Sequence, residues 1–304
     1  MFYLIRYYIA TAALLLVTVI WGSTFPLTKI LLAEMSPFYY LGVRYTITTV
    51  VMGLLFYRQL RMHWRASLKA AIPLGFAVFF AYVLQTIGVM QTTASKAGFF
   101  TAVAVVLVPL MLFLLQKQKP PHSLMIGVVL ATIGLSLMTG ILEEQMSFHL
   151  GDFFVLLSAF CFAVQIILNA RLESDSNAVC IATIQFAIVA LFSFLIAYFI
   201  EEMPLSVKIS PSSWLILIFL AVFATAFAFT VQILAQKEMS AGQTAMIMTF
   251  EPVFAAGFSW LLLKEQFTFI GFSGGLLIIA GMLISQFYPV LKVKRLKKAL
   301  QSAP

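Results

Sequence analysis

Two charged side chains stand inside long apolar stretches of this sequence, Arg44 and Glu251, and they mark where chemistry is available. An ionised carboxylate in an apolar phase costs about 2.5 to 3.5 kcal/mol on insertion scales, so an acid placed there is normally kept for a use. Three uses fit Glu251: a proton site coupled to solute movement, a contact for a cationic or amino group, and a structural hydrogen bond to a neighbouring helix. Pro252 beside it would free the carbonyl of Met248 if a helix runs through both. Counting rise along the helices puts Arg44 and Glu251 at similar depth, so the two could pair. Alternatively, Arg44 snorkels outward to the interface.

A second group of candidates is polar without charge. Ser23 and Thr24 precede Pro26, which cannot donate to the carbonyl of Gly22, so either a local opening forms a polar notch or the proline simply kinks the helix for packing. Tyr82 with Gln85, and Thr225 with Phe229 and Gln232, are spaced to lie along single helical faces, and Gln165 stands four residues before Asn169. A glutamine amide facing lipid is costly, so each points inward, as interhelical glue or as cavity lining. Trp21, Tyr82 and Phe229, with Met246 and Met248, suit an amphipathic ligand, and Thr249 with Glu251 completes the candidate solute-binding set.

Other chemistries lack their parts. His63, His122 and His149 all fall in expected loops and form no H-E-x-x-H pair, so no metal centre is expected. There is no phosphate-binding lysine loop, no TVGYG-like filter and no histidine in a helix to activate Ser23. The sequence therefore reads as a non-enzyme without cofactor. Cys161 and Cys180 lie within apolar stretches and read as packing residues.

The elements that must position these groups are set by hydropathy. With 62% hydrophobic residues, 10% charged and a mean hydropathy of +1.03 over 304 residues, lipid must cover the chain. Ten stretches approach the length a bilayer demands, at roughly 8–28, 37–57, 70–90, 97–116, 123–142, 153–170, 178–200, 212–236, 239–263 and 266–290. The first is too long for the apolar part of a cleaved signal peptide. The fold class expected is all-α, a polytopic membrane protein with ten transmembrane helices.

The net charge of +8 follows the membrane sides and does not suggest nucleic acid. Fourteen basic residues, among them Arg58, Arg61, Arg65, Lys69 and the tail Lys292 to Lys298, fall in alternate segments with the N-terminus. The opposite face holds Lys29, Lys96, Lys208 and Lys264 and most of the acids. Both termini are thus expected in the cytoplasm and the chain in the cell membrane. The basic tail serves as a topology anchor or grips anionic lipid.

Gln85, Ala94, Gly127 and Gly134 each recur 147 positions later as Gln232, Ala241, Gly274 and Gly281. A unit written twice, five helices each, enters the membrane from opposite sides, and this inverted build is common in secondary transporters. The expected division is 1–148 and 149–291, with 292–304 a basic cytoplasmic tail.

Trp21-Gly22-Ser23-Thr24-Phe25-Pro26 followed by Lys29 resembles the first helix of EamA-type members of the drug/metabolite transporter superfamily, and Pro37 with Arg44 resembles the start of their second. Gly98-Phe99-Phe100-Thr101 leading to Val108-Pro109 resembles the fourth. Glu251-Pro252-Val253-Phe254 followed by Leu263-Lys264-Glu265 resembles the ninth. The resemblance implies ten helices in two inverted five-helix repeats that move small metabolites, often outward, with helices 1, 3, 4, 6, 8 and 9 around the cavity and helix 2 peripheral. It therefore favours a snorkelling Arg44 over an ion pair. The second copy departs from the pattern, with Phe162 where the first has Trp21 and no Gly-Ser-x-x-Pro break. The function expected is alternating-access export of small metabolites such as amino acids, by a monomer or a homodimer. The alternatives are a multidrug or nucleotide-derivative carrier, or a non-transporting lipid scramblase or structural membrane protein.

Overall fold

The computed structural model describes residues 2–115, 122–138, 149–172, 177–201, 209–235, 238 and 247–284. Among them are ten helices and no strand: α1 (Phe2–Leu31), α2 (Pro37–Leu55), α3 (Tyr57–Gln91), α4 (Ala94–Leu115, interrupted at Val103), α5 (His122–Met138), α6 (Leu150–Leu172), α7 (Ala178–Ile200), α8 (Pro211–Ala235), α9 (Glu251–Leu263) and α10 (Phe269–Ile284). Seven are long and apolar enough to cross a bilayer, and α5, α9 and α10 are shorter apolar helices. Large apolar side chains such as Leu54, Tyr198, Phe199 and Leu215 point outward, as a lipid-covered surface requires.

Three boundaries differ from the hydropathy reading. α1 runs unbroken through Pro26, so the expected opening does not form. The hydroxyls beside the proline bond back into their own helix, Ser23 to the Ile20 carbonyl at 2.6 Å and Thr24 to that of Trp21 at 2.7 Å. α3 begins at Tyr57 and not near residue 70, so Arg58, Arg61, Arg65 and Lys69 are helical. Its 35 residues extend about 52 Å, beyond the ~30 Å hydrocarbon core, which leaves the basic end outside lipid. α9 begins at Glu251, so Pro252 sits in the first turn, where its missing N–H costs nothing. The expected strain at Pro252 is thereby removed.

Carboxylates staple the helix ends at one face of the bundle. Glu201 accepts from the Phe38 and Tyr39 backbone N–H groups at 2.8 Å and from the Ser36 hydroxyl at 2.7 Å, which caps α2. Glu265 accepts from the backbone of Ala94 at 2.7 Å and Ser95 at 3.1 Å and from the Ser95 hydroxyl, which caps α4. Glu34 accepts from the Ser210 backbone at 2.9 Å and caps α8. Asp152 accepts from the His149 backbone at the start of α6 and from the Thr92 hydroxyl, and Lys29 donates to the Thr92 carbonyl. Each helix start exposes unpaired donors that would otherwise be satisfied by water.

Close backbone approaches fix the interior. A Cβ on Gly22 would lie 2.5 Å from that of Phe254 and 2.8 Å from the Ala255 nitrogen, and one on Gly98 would lie 2.6 Å from the Ala255 Cβ. Ala255 of α9 is thus clasped between α1 and α4. On the far side α5 crosses α10 antiparallel, with Gly134 against the Gly274 carbonyl and Gly281 against that of Gly127.

Candidate functional site

The middle of α8 is a π-helical segment, Val222–Phe227. Widening a helix by one residue per turn disturbs its ladder, and here neighbouring side chains occupy the acceptors that result. Trp21 Nε1 of α1 donates to the Ala224 carbonyl at 2.7 Å, and Thr48 of α2 donates to that of Ala221 at 3.0 Å. Thr225 turns its hydroxyl proton back to the Leu220 carbonyl, 2.8 Å away and five residues earlier.

The Thr225 oxygen also receives Arg44. The guanidinium donates to it from Nη2 at 3.1 Å and from Nε at 3.3 Å, while Nη1 donates to the Tyr40 hydroxyl at 2.7 Å. The Tyr40 hydroxyl in turn meets that of Thr28, 2.9 Å away. Arg44 is 7% exposed, and its charge lies over the Tyr45 ring at 5.3 Å and the Tyr40 ring at 5.9 Å. It does not snorkel, contrary to the expectation, because the π segment and two phenol rings supply inside the bundle the dipoles that the interface would offer. Nor does it form an ion pair with Glu251: among the described residues such pairs join Arg6 to Glu238 and Lys96 to Asp152.

From this cluster an unbroken series of aromatic contacts runs across six helices. Trp21 (α1) touches Phe229 (α8) with centroids 5.3 Å apart, and Phe229 touches Phe186 (α7) at 5.1 Å. Phe186 stacks on Tyr45 (α2) at 5.5 Å, Tyr45 meets Tyr82 (α3) at 4.9 Å, and Tyr82 meets Phe162 (α6) at 5.2 Å. Trp21 and Phe162 are 141 positions apart, Tyr45 and Phe186 also 141, and Tyr82 and Phe229 are 147 apart. Exchanging each residue for its partner returns the same series read backwards. The amides behave alike: Gln85 donates to Thr101 at 3.1 Å and Gln232 to the Met248 sulfur at 3.6 Å, each across 16 residues.

The structure therefore joins Trp21, Tyr82, Phe229 and Thr225 of the sequence-derived set. Glu251 is half-buried at the start of α9 with Thr249 buried just before it, and Tyr82 lies within Coulombic reach of both Glu251 and Arg44. Ser23 and Thr24 spend their hydroxyl protons locally, and Gln85 bridges α3 to α4. Gln165 is half-buried on α6, while the side chain of Asn169, like Met246, lies outside the described residues. Tyr40, Tyr45, Thr48 and Phe186 were missed. The 141-residue spacing that pairs Trp21 with Phe162 would have found Tyr45 and Phe186, whereas nothing in the sequence announces the π segment.

Comparison with known proteins decides the family. The model of the EamA-like transporter family matches residues 8–140 and again 149–287. The chain belongs to the EamA-like transporter family. This EamA-like transporter is 34% identical over 281 residues to an uncharacterized transporter of Archaeoglobus fulgidus, an alignment covering 90% of this chain and 85% of the other. It is 27% identical to a protein of Escherichia coli named a probable amino-acid metabolite efflux pump, over 90% and 93% of the two chains. A solved structure at 18% identity shares the fold, with a TM-score of 0.67 over 94% of this EamA-like transporter and 98% of that chain.

Proposed function

We propose that this transporter exports small metabolites such as amino acids across the cell membrane by alternating access, with its two five-helix halves inverted relative to one another. The observation that carries the reading is the aromatic series, which draws three rings from each family-matched half and maps onto itself when the halves are exchanged. Antiparallel packing of Gly127 and Gly134 against Gly281 and Gly274 has the same character, since each glycine of one half meets a counterpart of the other. A solute site between two such halves is reached from either side as they rock.

Substrate class follows from what the halves do not share. Arg44 corresponds to Gln185, 141 positions on, and Glu251 stands where the first half has Val108 before Pro109. Tyr82 lies within Coulombic reach of both charges, and since Arg44 is covered and bonded to Tyr40 and Thr225, it is Glu251 that would meet a solute amino group, with aromatic rings for the rest of an amino acid. The naming of the Escherichia coli relative supports the same class. The test is counterflow in proteoliposomes with a panel of labelled amino acids, where saturable exchange is expected and its loss on adding competing solute identifies a carrier. Exchange of nucleotide derivatives or drugs alone would favour those cargoes instead. Lipid flipping without saturable solute flux would overturn the transport reading.

A further inference from the structure

α3 is longer than the bilayer core, but its surplus does not stand straight up into water. Tyr45 of α2 and Tyr82 of α3 touch, their ring centroids 4.9 Å apart. Phe56 alone joins the two helices, with Tyr45 eleven residues behind it and Tyr82 twenty-six ahead. Those helical paths measure about 16 Å and about 39 Å, and the difference of about 22 Å exceeds what two tyrosine side chains can bridge. α3 therefore bends on its way to Tyr82. Pro73 supplies a weak point, since it cannot donate to the Lys69 carbonyl. Contacts with α7 agree: its N-cap Asn177 donates to Gln59 at 3.2 Å, while Ala70 and Ala71 cluster with Ile181, only about one turn further along α7. The first turns of α3 are thus laid across the end of the bundle opposite the carboxylate staples.

The thirteen residues from Tyr57 to Lys69 hold four cations and no acid. Two stripes run along them, one residue apart: Tyr57, Leu60, Trp64 and Leu68, then Arg58, Arg61, Arg65 and Lys69, each spaced three, four and four. Ser67, Ala70 and Ala71 are buried against the bundle. Round the helix from that buried side come the apolar stripe, then the basic stripe about 100° beyond it, and last Gln59, His63 and Ala66. A helix seated at the rim of the bundle meets protein, hydrocarbon, headgroups and water in that same order. Tyr57 and Trp64 are exposed, and the Arg65 guanidinium lies over the Trp64 ring at 5.3 Å, which ties the stripes together. All four cations are exposed, and among the described residues the ion pairs lie elsewhere, Arg6 with Glu238 and Lys96 with Asp152. Positive charge beside an aromatic stripe is the pattern that seats a helix in an anionic membrane surface.

We propose that the first turns of α3 are an interfacial helix that binds the anionic phospholipid surface at that end of the bundle, with Tyr57 and Trp64 at the hydrocarbon boundary and the four cations among the headgroup phosphates. Basic flanks orient many transmembrane helices. A helix folded along the surface does more, because its seat depends on the charge of the lipid.

The test places a nitroxide at Tyr57→Cys or Ala66→Cys in the full chain, with Cys161→Ser and Cys180→Ser, and reads its exposure to a water-soluble nickel chelate by power saturation. Both positions are exposed in the protein and lie on opposite sides of the helix, so lipid alone can separate them. In vesicles of phosphatidylglycerol the label at 57 should be shielded about tenfold more than that at 66. In phosphatidylcholine, in molar salt, or with Arg58, Arg61, Arg65 and Lys69 all changed to Gln, the contrast should shrink severalfold. The salt series uses the unaltered charges, so it stands even where the glutamine variant inserts poorly. Equal exposure of the two labels in phosphatidylglycerol would overturn the surface seat. A contrast indifferent to headgroup and salt would overturn the anionic partner, as would one raised in detergent by inorganic phosphate alone. No solute flux is measured, so failure here leaves the exporter reading standing.

Discussion

Glu251 and Arg44 are the residues at which the two halves of the chain part company, and their environments assign them different work. Arg44 is satisfied on three of its nitrogens by Tyr40 and Thr225 and covered by two rings, whereas Glu251 is half-buried at a helix start with Tyr82 in its field. Glu251→Gln keeps shape and hydrogen bonding while removing titration, so we expect it to fold normally, lose most transport in counterflow and flatten the pH profile. Normal rates with a normal profile would leave Glu251 neither proton coupling nor amino-group binding. Gln85→Leu should act differently, because the Gln85 amide is spent on Thr101. It should cost about 1 kcal/mol in thermal unfolding and leave solute discrimination unchanged, whereas a change in discrimination would return Gln85 to the cavity wall. Glu251 was legible in the sequence because an acid in an apolar stretch is costly and stands out there, although its three uses could not be told apart from sequence. The inward turn of Arg44 was not, because its acceptor belongs to a distant helix whose local geometry leaves no mark in composition.

Among the elements, α8 holds the site together. Its π segment receives Trp21 from α1 and both Thr48 and Arg44 from α2, so two helices of one half are locked to one helix of the other. Thr225→Val removes the acceptor of Arg44 and should cost about 1 to 3 kcal/mol, since a charged donor is left buried beside an isosteric methyl. Thermal unfolding in detergent measures this, and a loss well below 1 kcal/mol would mean that Tyr40 alone suffices. Among the described residues the spans fall where hydropathy puts them, apart from the starts of α9 and of α3, whose basic first turns look like a loop to any scale that weighs only apolarity. The carboxylate staples were invisible in the sequence, since Glu34, Glu201 and Glu265 lie in short connections and their donor partners stand at the starts of other helices far along the chain. Glu34 illustrates their effect: the Ser210 backbone N–H, then the Ser213 and Ser210 hydroxyls, hold its carboxyl below the usual range. A carboxyl depressed on folding stabilises above its unfolded value, and that contribution is lost as pH falls through the folded value. Glu34→Gln should therefore lower the melting temperature at neutral pH and lose this disadvantage in acid.

For the whole molecule, orientation follows from charge and from where the staples lie. All four stapling acids, Glu34, Asp152, Glu201 and Glu265, sit at one face of the bundle, the face that holds Lys29 and Lys96 among its few basic residues. The other face receives the helical extension of α3, whose Arg58, Arg61, Arg65 and Lys69 stand beyond the span of a bilayer. Basic residues flanking transmembrane segments are retained in the cytoplasm, whereas acids carry little such preference. The stapled face is therefore expected outside and the extended end of α3 inside. Single cysteines placed at Arg61 and after Pro304, in a background with Cys161 and Cys180 replaced by serine, should react with an impermeant maleimide only once cells are opened. One placed between Glu143 and His149 should react in intact cells. The three sites test more than direction, because an odd number of crossings separates the loop near His149 from Arg61. Labelling of that loop and the tail from one side would remove the inverted arrangement, and with it the reason for a site at the aromatic series between the halves.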